Sequence, residues 1–142
     1  MNAPRPTPPA ADDANRFTIA GTLGSFRAAC HGLGALVRGE VNARVHLVAT
    51  LVVLAAGFVL RVSRTDWCWL VVALALVWVA EALNTAIEEL ADEVSEAPRE
   101  RLGRAKDIAA AGVLLASLAA AVIGGLVFGP PLWRLLATNP GP

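Results

Sequence analysis

Three apolar stretches of this chain carry no charge, positions 47–60, 67–80 and 108–128, and the last of them is 21 residues long. A helix needs about 20 predominantly apolar residues to cross the hydrocarbon of a bilayer, so the third stretch suffices by itself. The first two reach that length when helix is carried back through 41–46 and forward through 81–87, where polar side chains sit at headgroup level or face other helices. The pattern predicts three membrane spans, at about 41–61, 66–90 and 106–128. The links between them, "RVSRTDW" and "DEVSEAPRERLGRAKD", are short and imply helices running up and down. Thr65 or Asp66 is the expected N-cap of the second span, and Pro98 suits a first helical turn. Gly129, Pro130 and Pro131 are expected to stop the third, because proline neither donates nor continues a helix.

Ahead of the spans, Leu23, Phe26, Cys30, Leu33 and Val37 recur at helical spacing, with Arg27, His31 and Arg38 elsewhere on the wheel. This periodicity predicts an amphipathic helix over about 22–38 that lies on the membrane surface. Residues 1–14, "MNAPRPTPPAADDA", are rich in proline and have no apolar run, so they read as a disordered tail, as do 137–142. The remaining 15–136 form one domain, an all-α membrane protein.

Composition agrees with that reading. The chain is 56% hydrophobic with mean hydropathy +0.56, above the share of ordinary soluble domains. Its formal net charge is zero, which gives no basic field for nucleic acid. Arginine and lysine are unevenly placed. Nine fall before the first span or in the link between the second and third, from Arg5 to Lys106, against three on the other side, Arg61, Arg64 and Arg134. The positive-inside bias puts the amino terminus and second link in the cytoplasm, and the carboxyl terminus outside. Trp67, Trp69 and Trp133 fit an outer aromatic belt, with Trp78 deeper. Cys30 and Cys68 belong to opposite sides of the bilayer and are expected as free thiols. No Cys and His spacing suggests zinc.

Against this background "EALNTAIEEL" at 81–90 is unusual: two acids and an amide follow directly on an apolar run. On an ideal helix Asn84, Glu88 and Asp92 lie about 60°, 20° and 20° from the azimuth of Glu81, a stripe roughly 16 Å long. An ionised carboxylate in hydrocarbon costs several kcal/mol unless partnered by cations, metal or water. Glu40 opens the first span, and Lys106 and Asp107 open the third. Antiparallel helices bring these groups to one interface. Carboxylates suit a hard divalent cation such as magnesium, and a lysine neutralises phosphate. These are the parts for phosphoryl transfer to a lipid alcohol. No P-loop, GxGxxG or protein-kinase element accompanies them. The plainer readings are helix–helix glue for Glu81 and Glu88, a solvated helix-end acid for Glu40 and a snorkelling anchor for Lys106. His31 and His46 read as interfacial polar residues. The rival functions are a small proton-coupled transporter using intramembrane Glu81, and a non-catalytic membrane subunit. A transporter predicts polar residues near the bilayer centre, whereas here they gather beside one surface.

Over about residues 25–126 the chain resembles the small bacterial integral-membrane lipid kinases, the diacylglycerol and undecaprenol kinases. The likeness rests on "EALNTAIEEL", "RAKDIAAAGVLLA" and Glu40 in "GEVNARVH". It implies a homotrimer of three-span protomers with a surface helix, located in the bacterial inner membrane with the amino terminus cytoplasmic and active sites between subunits. Carried over, Glu81 would be the catalytic base at the lipid hydroxyl. Glu40 and Glu88 would hold the magnesium bound by ATP. Asn84 and Lys106 would contact phosphates, and Asp107 would orient the lysine, with Asp92 in support. The chain departs from the proteobacterial pattern at Ala28, where an aromatic residue meets the nucleotide, and at His46, where a second acid is usual. The Glu40, Asn42, Arg44, His46 series looks more like the undecaprenol kinases.

Overall fold

The computed structural model describes residues 19–95 and 99–137. The tail expected for 1–14, the residues after Ala137 and Pro98 lie outside the described residues. The regular structure is all helical: α1 Ile19–Gly39, α2 Val41–Val59, α3 Arg64–Val94 and α4 Glu100–Ala137. The chain divides into two units, one up to Ala35 and one from Leu36 onward. In the first, α1 presents Leu23, Phe26 and Leu33 exposed.

The second unit holds α2, α3 and α4, and all three are long and apolar enough to cross a membrane. Their Val, Leu and Ala residues form helix because a segment in hydrocarbon must satisfy its backbone internally. α3 packs chiefly on α4 and less extensively on α2. The end of α3 meets the start of α4 through Asp92 and Lys106. The 60–63 turn shares a cleft of about 360 Å³ with Leu126, Val127, Pro130, Pro131 and Arg134 of α4. Contacts at both ends therefore give the up-down-up order that the short links implied.

Along α3, Leu70, Ala73, Val77, Glu81, Asn84 and Ala91 are buried. Intervals of three and four place them on one face, the seam against neighbouring helices. Glu81 and Asn84 thus occupy positions where Leu70 and Val77 set an apolar pattern. By contrast, large residues such as Val52, Leu115 and Leu126 are exposed, which suits lipid and not water as their surroundings. α2 contacts α3 closely at Gly57, where a Cβ would stand 2.7 Å from Trp67 Cη2; Ala43, at the other end of α2, is fully buried.

Two expectations about helix ends need correction. The N-cap of α3 is Ser63, not Thr65 or Asp66. Ser63 Oγ accepts from the Asp66 amide at 3.2 Å, and Asp66 Oδ2 accepts from the Ser63 amide at 3.1 Å. This reciprocal pair closes a capping box, which satisfies two end groups at once. The turn before it requires a left-handed residue, supplied by Arg61 at φ 52°. The second correction concerns the carboxyl end, where α4 continues through Pro130 and Pro131 to Ala137. Proline's fixed φ is itself helical. Before Pro130 the clash with the preceding residue's Cβ is absent, because Gly129 has none; before Pro131 stands Pro130, whose own φ is held in the helical range. What the prolines remove is two amide donors, leaving the Leu126 and Val127 carbonyls without intrahelical partners.

Candidate functional site

Glu81 is 1% exposed. It comes from the middle of α3, so its burial follows from the seam register and not from a loop folding over it. Its Oε2 has no hydrogen-bond partner. Across the interface His46 of α2 places Nε2 3.7 Å from that oxygen, beyond hydrogen-bond length but within ion-pair reach. The titratable groups near enough to bear on the Glu81 carboxyl are His46, Glu40 and Glu88.

One turn further along α3, Asn84 Nδ2 donates to Glu88 Oε1 at 3.0 Å. The bond fixes both side chains and leaves Asn84 Oδ1 buried without a partner. Thr85 is buried beside them, and its Oγ1 also lacks a partner. Glu88 is half-buried, and Asp92 is exposed. The stripe thus grades from a sealed acid to a solvated one over three turns.

Glu40 sits in the break between α1 and α2, at the N-cap of α2 with φ −101° and ψ 130°. Its side chain makes no capping bond, so the carboxylate is not spent on the helix end. Lys106, near the start of α4, gives its ammonium to Asp92 Oδ1 at 2.5 Å. The acid that meets Lys106 within the chain is therefore Asp92, the residue given least weight, while Asp107 is exposed. Adjacent residues on a helix point about 100° apart, whereas Asp92 faces α4 from the helix opposite.

The structure thus brings Glu40, Glu81, Asn84 and Glu88 to one end of the bundle and sets the Lys106–Asp92 pair one turn beyond Glu88. Among the described residues, no three or more His, Cys, Asp or Glu side chains converge as a metal site. The sequence pattern marked His46 as an interfacial polar residue and singled out neither Thr50 nor Thr85. Thr50 Oγ1 donates to the His46 carbonyl at 2.7 Å and accepts from Trp78 Nε1 at 3.0 Å. The signal was present: His46 and Thr50 are four apart, two polar groups on one face of an apolar helix.

A buried acid, an amide and further carboxylates at the end of three membrane helices narrow the relatives to be sought. The family model described as prokaryotic diacylglycerol kinase matches residues 27–128. The chain belongs to the prokaryotic diacylglycerol kinase family. It is 36% identical over 115 residues to a diacylglycerol kinase of Synechocystis sp., covering 80% of this chain and 66% of that one. It is 31% identical over 121 residues to an undecaprenol kinase of Bacillus subtilis, covering 85% and 94%. With a diacylglycerol kinase of Escherichia coli K12 it shares 34% identity over 91 residues, covering 64% and 75%. The chain thus spans just under two thirds of the Synechocystis protein's length and nearly all of the Bacillus one. These relatives are lipid kinases, and this family member is a membrane enzyme of that class. Every site residue named above falls within the matched 27–128.

Proposed function

We propose that this kinase transfers the γ-phosphate of MgATP to a membrane lipid alcohol, with undecaprenol favoured over diacylglycerol. The observation that carries the reading is the sealed Glu81 carboxylate, whose partnerless oxygen lies in line with Asn84 and Glu88. A buried, unsatisfied acid is costly as packing, and its burial suits a base acting on a hydroxyl that arrives through the bilayer. In this reading Glu81 takes the hydroxyl proton as the oxygen attacks the γ-phosphorus in line, with ADP leaving. Asn84 and Lys106 bind phosphate oxygens. Asp107 and Asp92 serve Lys106, and the contact with Asp92 supports giving it the larger share.

Glu40 and Glu88 would hold magnesium. The free Glu40 carboxylate and the Glu88 carboxylate steadied by Asn84 fit that task. Both offer hard oxygen ligands, and magnesium commonly takes one or two protein carboxylates with phosphate and water completing its shell. Bound there, it would offset charge on the phosphates. The enzyme acts in this reading as a homotrimer in the bacterial inner membrane, with the site at the cytoplasmic face and completed between subunits. The match to most of an undecaprenol kinase's length and the histidine at position 46 support undecaprenol as acceptor. Purified protein in detergent, given labelled ATP and undecaprenol, diacylglycerol or no lipid in parallel, tests this. Label is expected in undecaprenyl phosphate first. Equal label in the lipid-free control removes the lipid kinase reading, and faster labelling of diacylglycerol removes the preference.

A further inference from the structure

We propose that His46 is the positioning residue for Glu81: its imidazole holds the base in its reactive orientation and balances its charge. The inference rests on the lipid kinase reading above. Its ground is the interface between α2 and α3. The Glu81 Oε2 is buried with no hydrogen-bond partner, and the side chain facing it from the other helix is His46, with Nε2 at 3.7 Å. Closing that gap to hydrogen-bond length needs a shift of less than an ångström, within the range of side-chain motion.

The pairing is built into the helix register. One turn deeper, Trp78 Nε1 donates to Thr50 Oγ1 at 3.0 Å, while the threonine hydroxyl donates back to the His46 carbonyl at 2.7 Å. Thr50 lies four residues after His46, and Trp78 three residues before Glu81. In an antiparallel pair these steps are about 6 Å and 4.5 Å along the axes, so the clamp sets His46 opposite Glu81. Ala43, one turn the other way, is fully buried. The Trp78–Thr50–His46 chain of hydrogen bonds holds the level of the imidazole against the carboxylate.

Charge points the same way. A base holds a negative charge before it accepts a proton. Of the titratable groups that bear on Glu81, Glu40 and Glu88 are acids, so His46 is the one whose ring N–H can stabilise that charge. The imidazole is 17% exposed, against 2% for the Glu81 side chain. Its Nε2 lies on the side of the sealed oxygen. Carboxylate–histidine contacts of this kind fix which oxygen is presented to a reacting group.

The test uses the full-length enzyme in detergent micelles with undecaprenol and MgATP, comparing the parent with His46→Leu and His46→Gln. His46→Leu is expected to lower kcat on the order of 10- to 100-fold, the scale of a misplaced catalytic group, with KM for ATP and for lipid held within about twofold. His46→Gln keeps an N–H donor and is expected to recover part of the loss, and both variants are expected to move the pH profile of kcat. Parental kcat and an unmoved profile in both overturn the inference, as does a loss confined to KM for ATP. Should His46→Leu fail to fold, His46→Gln alone decides by kcat and pH profile. A parent inactive with undecaprenol and with diacylglycerol alike instead sinks the lipid kinase reading, and this inference with it.

Discussion

Replacing Glu81 by leucine separates an acid kept for chemistry from one kept for packing. The variant removes a carboxylate whose Oε2 is buried without a hydrogen-bond partner and puts an apolar side chain into a seam that already contains Leu70, Ala73 and Val77. Relieving an unsatisfied buried polar group is worth about 1–3 kcal/mol. The branched side chain returns part of that as crowding, about 1 kcal/mol or more. His46, left behind, is 17% exposed and so is not sealed in the seam. The expected net is a protein as stable as the parent or up to about 2 kcal/mol more stable, at most roughly a thirtyfold shift in the unfolding equilibrium. Turnover is expected to fall about 10²- to 10⁴-fold, the usual contribution of a general base. Reversible unfolding in mixed micelles, followed by tryptophan fluorescence, gives the first quantity, and labelled phosphate transfer on the same preparation gives the second. A Glu81→Leu protein that is destabilised by more than about 1 kcal/mol yet phosphorylates lipid at the parental rate would show that the acid holds helices together and does no chemistry.

Glu40→Gln and Glu88→Gln are each expected to shift the magnesium dependence of activity to higher concentration, read by titrating the metal at fixed ATP; unchanged curves in both reject them as ligands. Because Asp92 and not Asp107 meets Lys106, Asp92→Asn is expected to raise KM for ATP more than Asp107→Asn does, and the reverse order would return the orienting role to Asp107. The stability cost of Asp92→Asn stays within about 1 kcal/mol, since the Asp92 side chain is exposed and such pairs are weak. Gly57→Val is expected to lower stability by about 1–3 kcal/mol through overpacking, because even a Cβ there stands 2.7 Å from Trp67; micelle unfolding at parental stability would show that Trp67 yields without cost. Thr50→Val leaves the Trp78 N–H unpaired and is expected to cost about 1–3 kcal/mol, with a change in tryptophan emission as its signature.

Much of the molecule is legible in the order of residues, because hydropathy and helical period are properties of one segment at a time. The uncharged stretches determine three spanning helices, since a backbone in lipid must bond to itself. A 3.6-residue period is enough to align Glu81, Asn84 and Glu88 on one face before any neighbour is known. What a segment cannot encode is its register against another. That Glu81 meets His46, that Trp78 reaches Thr50, and that Lys106 pairs with Asp92 across two helices in place of its neighbour Asp107 depend on how α2, α3 and α4 slide along one another. That sliding is decided by where side chains are small enough for close approach, as at Gly57 under Trp67. Helix ends divide in the same way. Serine, aspartate and proline announce an end or a turn nearby, but which of them caps α3, and that α4 runs on through Pro130 and Pro131, are read only from the folded backbone. The composition of each span was written in the chain, and the pairing of its polar groups belongs to the packed bundle.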